Sequence, residues 1–218
     1  MERFFILDKY NTWYNWRLIL TAKDVTPPEP KTNYVELDGM SGSLDLTEAL
    51  SGEVTFADRN LSASFWTDEG TRKDRETLRT QIITALHGRK VKIIDPDDPE
   101  HFFNGRVSVK SWKNILPYAE LSIEATCEPW RYALEESKRR VDVTGSSPVD
   151  IVIQNHGVKT LCPSIRVDGS VTISYKGSDI TLTDGTYRIP EIKLRSGANI
   201  VTLSGDGSIA FTYREAIL

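Results

Sequence analysis

Three histidines, two cysteines and 31 carboxylates are the material for chemistry in this 218-residue chain, and their spacing decides what they can do. His87, His101 and His156 share no i, i+4 spacing and no H-E-x-x-H pattern, so they read as separate surface histidines rather than a metal set. The densest ligand cluster is Asp95, Asp97, Asp98 and Glu100 followed by His101, and hard oxygen ligands of this kind suit calcium. Pro96 and Pro99 fit no EF-hand loop, where a glycine must turn the chain, so the expectation is a solvated turn that discourages edge pairing. Cys127 and Cys162 form no C-x-x-C pair and read as two buried thiols. Carboxylate pairs for glycoside hydrolysis occur by chance among so many acids, and no pair stands out. A nucleophile elbow, a Walker loop and a dinucleotide-binding glycine fingerprint are all missing, so no catalytic or cofactor-binding residue and no metal ligand is assigned.

Trp13, Tyr14 and Trp16 are the more suggestive cluster. Aromatic side chains near a chain end either fill a core or anchor a subunit interface, and both readings stay open here. Charge narrows the partners. Residues 1–140 carry 20 basic and 23 acidic side chains and residues 141–218 carry 7 and 8, so neither part has the basic excess that a phosphate backbone demands. No run approaches the roughly 20 apolar residues that span a bilayer. The start Met1-Glu2-Arg3-Phe4-Phe5-Ile6-Leu7-Asp8 breaks too early for a signal peptide. A soluble chain made in the cytosol is expected.

These residues must be positioned by a largely β framework. Phe4 to Leu7 and Thr12 to Leu20 predict two short strands around the turn Asp8-Lys9-Tyr10-Asn11. Thr26-Pro27-Pro28-Glu29-Pro30 predicts an extended loop, after which Tyr34-Val35-Glu36-Leu37 restarts the chain ahead of a turn at Asp38-Gly39 and Gly42. Leu61, Ala63 and Phe65 alternate as a strand. Thr71 as cap, Asp74 three residues on, and Leu78, Ile82, Ala85 and Leu86 along one face predict a helix over 72–87, ended by Gly88. Val91-Lys92-Ile93-Ile94 and Phe103 to Val109 predict a hairpin across the acidic loop. Ala119 to Cys127 alternates cleanly, Pro129-Trp130-Arg131-Tyr132 is expected to stop that strand, and Leu134 to Arg140 reads as a charged connector.

Length leaves one large domain or two small ones open, and the connector places a boundary near residue 140. Beyond it no helical period appears. Short apolar runs separated by Asp168-Gly169, Lys176-Gly177, Asp184-Gly185 and Gly205-Asp206-Gly207, all read as turns, argue for a small antiparallel sandwich. The fold class expected is mainly β: an α+β first domain over 1–140, sheet or barrel-like with one helix, and a β-sandwich over 141–218.

The layout as a whole resembles the phage distal tail protein family of siphophage type. The features that carry it are the N-terminal hairpin, Leu37-Asp38-Gly39-Met40-Ser41-Gly42-Ser43-Leu44-Asp45-Leu46 and the strand and helix that end in Leu86-His87-Gly88-Arg89-Lys90-Val91. Phe103-Asn104-Gly105-Arg106-Val107, Cys127-Glu128-Pro129-Trp130-Arg131-Tyr132, Asn155-His156-Gly157, Pro163-Ser164-Ile165-Arg166-Val167 and Ser196-Gly197-Ala198-Asn199-Ile200-Val201 follow in order. The resemblance implies a first domain that self-associates into a hexameric ring at the tail tip, with a galectin-like sandwich outside it. It further implies contacts with the tail tube protein, a tail-tip hub protein and receptor-binding parts, and no enzymatic activity or cofactor. A heterologous ring interface is expected to pair neighbouring subunits through strands of this domain, with Trp13, Tyr14 or Trp16 near the contact. The rival reading is a carbohydrate-binding module, which the C-terminal half serves poorly: its aromatics are Tyr175, Tyr187, Phe211 and Tyr213, without a tryptophan.

Overall fold

The computed structural model describes residues 4–145 and 147–218, so Met1-Glu2-Arg3, where the signal-peptide reading began, lies outside the described residues. Two compact units result, Met1–Arg131 with Leu218, and Tyr132–Ile217. Both are built mainly of strands.

The first unit runs β1 (Ile6–Leu7), β2 (Tyr10–Asn11), α1 (Thr12–Trp16), β3 (Ile19–Val25), β4 (Tyr34–Glu36), β5 (Ser43–Asp45), β6 (Arg59–Thr67), α2 (Arg72–Leu86), β7 (Lys90–Asp95), β8 (Asp98–Ile115) and β9 (Tyr118–Ala133). Its main sheet has the order β2-β1-β7-β8-β9-β6-β3. Alternation sets one face inward: Leu61, Ala63 and Phe65 of β6 and Leu121, Ile123, Ala125 and Cys127 of β9 join Ile82 and Leu86 of α2 in one core. The helix begins as its sequence dictates. Thr71 Oγ1 accepts from the Asp74 amide at 3.3 Å, and the Asp74 carboxylate accepts from the Thr71 amide at 2.9 Å, a reciprocal capping box.

Two expectations for this unit need correction. Thr12–Trp16 is a helical turn, not a strand, because Asn11 Oδ1 accepts from the Trp13 and Tyr14 amides at 2.9 and 3.0 Å and Arg17 closes the turn at φ 52°. Nor does Pro129 end β9. The pairing of β9 with β6 stops at Cys127, so a proline two residues later breaks no bond to β6 and the strand continues to Ala133.

The second unit contains β10 (Ser137–Val143), β11 (Val149–Asn155), β12 (Ser164–Tyr175), β13 (Ser178–Leu182), β14 (Gly185–Arg188), β15 (Gly197–Tyr213) and β16 (Ala216–Ile217). The stretch read as a connector thus contains β10, whose Lys138, Arg139 and Arg140 face water while the backbone pairs with β15 from Ser137↔Tyr213 to Val143↔Gly207. The first unit accordingly closes at Arg131, ahead of the boundary expected near 140.

Asp168-Gly169 and Gly205-Asp206-Gly207 are not turns either. Both lie inside long paired strands, with Gly169 opposite Gly207 and Val171 opposite Gly205. One half of β15 pairs with β11 and the other with β10, while β12 passes from β14 to β13, so each strand serves two parts of the sheet. A Cβ at Gly169 would stand 2.5 Å from the Asp206 carbonyl oxygen and one at Gly205 would stand 2.4 Å from that of Ser170, so only glycine allows this approach. Ile165, Val167, Val171 and Ile173 of β12 close on Val201, Leu203, Ile209 and Phe211 of β15 in a single core.

Candidate assembly surface

The three N-terminal aromatics separate once α1 forms, because neighbours on a helix point roughly 100° apart. Trp16 turns inward, 6% exposed, and stacks on Tyr10 at 5.0 Å between ring centroids. Trp13 is half-buried, with the Arg17 guanidinium 5.1 Å from its ring centre. Tyr14 stands out at 66% exposure beside Phe4. Of the three, Tyr14 is the one that stands in solvent.

Between β3 and β6 the chain makes an excursion in which the restart expected at Tyr34–Leu37 is strand β4 and a second strand, β5, follows the turn. Its strands β4 and β5 pair with each other, Tyr34↔Asp45 to Glu36↔Ser43, and form a sheet of their own. Tyr34, Leu37, Met40 and Leu44 are exposed there, and Leu50 is 99% exposed. A two-stranded hairpin alone is marginal in water, and this one leaves its large apolar side chains facing solvent. The segment 27–58 carries seven acidic residues and one basic residue, Lys31. That imbalance is the sequence signal that sets this segment apart.

On the opposite side of the strand order, the β1–β2 turn and the C-terminal end of α2 border a cavity of about 650 Å³ lined by Lys9, Tyr10, Ala85, Arg89, Lys90 and Arg106. A second cavity of about 470 Å³ shares Tyr10, Ala85 and Arg89 and extends toward Thr80 and Thr84. Lys90 reaches Glu128 at 2.6 Å, and Asp8, also at the rim, accepts from the Lys92 amide at 2.8 Å. Lys9, Arg89 and Arg106 pair with no carboxylate among the described residues.

The groups that could have carried chemistry are occupied elsewhere. The acidic turn is held by cations: Lys23 bonds both oxygens of Asp95 and lies 2.7 Å from Asp97, while Arg131 reaches Asp98 at 2.9 Å. Burial by itself would lower the Lys23 pKa, but the hydrogen bonds and negative charge of Asp95 and Asp97 outweigh it and raise the value. His87 accepts from the Val109 amide through Nδ1 at 3.1 Å, His101 contacts Asp98 at 2.8 Å and His156 contacts Glu215 at 3.2 Å, three unconnected places. No group of three metal-capable side chains converges among the described residues. Cys127 is buried, and burial pushes its thiol up to about 12; Cys162, expected to be buried, is half-buried with Sγ 3.2 Å from the Ile189 carbonyl.

No model of a known protein family matches the sequence, and no curated protein does. A solved structure does: the SPP1 Dit protein, described as a paradigm of the hub adsorption apparatus in phages infecting Gram-positive bacteria. It matches with a TM-score of 0.71 and 16% sequence identity, covering 99% of this chain and 99% of that one. The chain has the Dit fold. Coverage of that extent takes in both units and the β4–β5 excursion, so the resemblance to distal tail proteins read from element order is met by the path of the whole backbone. No helix of the Dit fold described here is long and apolar enough to cross a membrane.

Proposed function

We propose that this chain is a structural hub component of a phage tail tip. It assembles through its first unit as a hexameric ring that joins the tail tube protein to the tail-tip hub and receptor-binding parts, and its place is the virion after synthesis in the host cytoplasm. Its work is assembly rather than turnover. The observation that supports this is the full-length likeness to SPP1 Dit, itself described as a hub adsorption protein. The exposed apolar hairpin and Tyr14 agree with it, since a ring subunit must present two different patches that meet on its neighbours. Tyr14 and, beside it, Trp13 are proposed to lie near that contact, whereas Trp16 supports the turn from within.

The test is solution mass by light scattering over a concentration series, with negative-stain images of the largest species. A particle of about six times the 24.6 kDa chain mass with a central hole is expected. A strict monomer at every concentration would overturn the ring.

A further inference from the structure

We infer that the first unit carries a saccharide-binding cleft on the outward face of its main sheet, built on Trp66 and Tyr118. Such a site does not depend on the ring, and it gives the proposed hub component a ligand of its own.

Alternation along β6 and β9 places the cleft. Phe65 and Leu121 point into the core, so Ser64 and Trp66 of β6 and Glu120 and Ser122 of β9 stand on the other face, in the register Trp66↔Glu120 and Ser64↔Ser122. With Ser111 and Lys113 of β8, Thr21 of β3 and Tyr118, they line a cavity of about 560 Å³, within the roughly 300–1,000 Å³ usual for small-ligand sites. Trp66 and Tyr118 stand 6.5 Å apart between ring centroids with their planes at 85°, so two flat apolar walls meet near a right angle. A bulge between Leu20 and Ala22 takes Thr21 out of the pairing of β3 with β6, and its hydroxyl donates to the Ser64 carbonyl at 2.9 Å. The hydroxyls of Ser64, Ser111 and Ser122 and the indole N–H of Trp66 bond to no protein group among the described residues.

The lining selects the ligand. A pyranose ring offers an apolar C–H face that stacks on an aromatic wall, and its hydroxyls, each both donor and acceptor, radiate from the rim toward hydroxyl-bearing side chains. Lys113 lies 3.9 Å from Glu120, so the cleft has no net positive charge to hold a phosphate or carboxylate. Main-chain recognition is closed off as well. β6 is paired on both sides, with β3 and with β9, and leaves no free edge for an extended peptide. A neutral sugar of one or two rings is the class that remains.

The experiment titrates the full chain with lactose, cellobiose and N,N′-diacetylchitobiose, read by saturation-transfer NMR of the sugar and by heat of binding. Millimolar binding of at least one is expected. Trp66→Ala is expected to weaken it about tenfold by removing one wall, while Trp66→Phe, which keeps an aromatic wall, retains it. Ser122→Val is expected to weaken binding at unchanged melting, since a β-branched residue suits the strand while the hydroxyl is lost. No binding of any of the three sugars, equal binding by wild type, Trp66→Ala and Ser122→Val, or uptake of a capped tetraalanine peptide in place of every sugar would overturn the cleft. Scattering mass is read on the same samples. Sugar binding by a chain that stays monomeric would overturn the ring alone, and a ring that takes no sugar would overturn the cleft alone.

Discussion

Gly105 of β8 makes room for the thiol of Cys127 on β9: a Cβ built at Gly105 would stand 2.4 Å from Sγ. The thiol fills the space a side chain would take, and burial holds its pKa near 12. In native protein at pH 8, Cys162 is expected to react with a thiol reagent while Cys127 reacts on denaturation; two fast equivalents before unfolding would contradict this. Gly105→Ala is expected to destabilise by about 1–3 kcal/mol through overpacking, read by denaturant titration.

Removing the α2 cap with Thr71→Ala is expected to cost about 1 kcal/mol in urea unfolding. Backbone and side-chain hydrogen bonds from Thr71 depress the Asp74 pKa below its ordinary 3.8. A depressed carboxylate supports the fold above its unfolded pKa, and that support fades as pH falls below about 4. The penalty of Thr71→Ala should therefore shrink on acidification between about pH 4 and pH 2; a penalty independent of pH would argue that the carboxylate does not take part.

Lys23 shows the opposite sign. Its raised pKa means that its contribution is complete below 10.5 and declines only as pH climbs through the higher folded value. Lys23→Met should lower stability at neutral pH by about 1–2 kcal/mol, since Asp95 loses a charged donor, and the wild-type and variant curves should converge once pH passes the raised Lys23 value. Parallel curves at all pH values would refute the pairing.

Within the aromatic cluster the expected effects separate. Trp16→Ala should cost about 3–5 kcal/mol of stability, as buried tryptophan truncations do, whatever the assembly state. Tyr14→Ala should leave the melting curve in place and weaken assembly, measured by scattering mass against concentration. A ring unaffected by Tyr14→Ala would remove this side chain from the interface.

How far the sequence reveals this fold depends on whether the deciding interaction is local. The Thr71–Asp74 cap and the alternation of β9 were legible because each is complete within one stretch of chain. Thr12–Trp16 was misread because its residues favour strands in general, and an asparagine cap on one side with Arg17 in the left-handed region on the other outweighed them. Gly205-Asp206-Gly207 has the composition of a turn, and what makes it strand is the run of partners on β12, which lie over thirty residues away in sequence. For the candidate surface, the spacing of Trp13, Tyr14 and Trp16 located the cluster without saying which ring faces out. That the β4–β5 hairpin pairs with no other strand is a tertiary property invisible in its own residues, although its acidity was there to be counted.

Replacing Gly169 or Gly205 by alanine is expected to cost about 2–4 kcal/mol, combining a backbone at φ +100° or +115° with a carbonyl in the way. A folded variant with unchanged melting would mean that β12 and β15 can separate where these glycines face each other.

β12 and β15 each run as one continuous strand, and each is shared by two shorter strands of the second unit. Loosening β11 frees the same strand that holds β10, and loosening β14 frees the one that holds β13. The two long strands therefore tie the four shorter ones into one hydrogen-bonded network, in which each edge strand is anchored on a partner that also holds another.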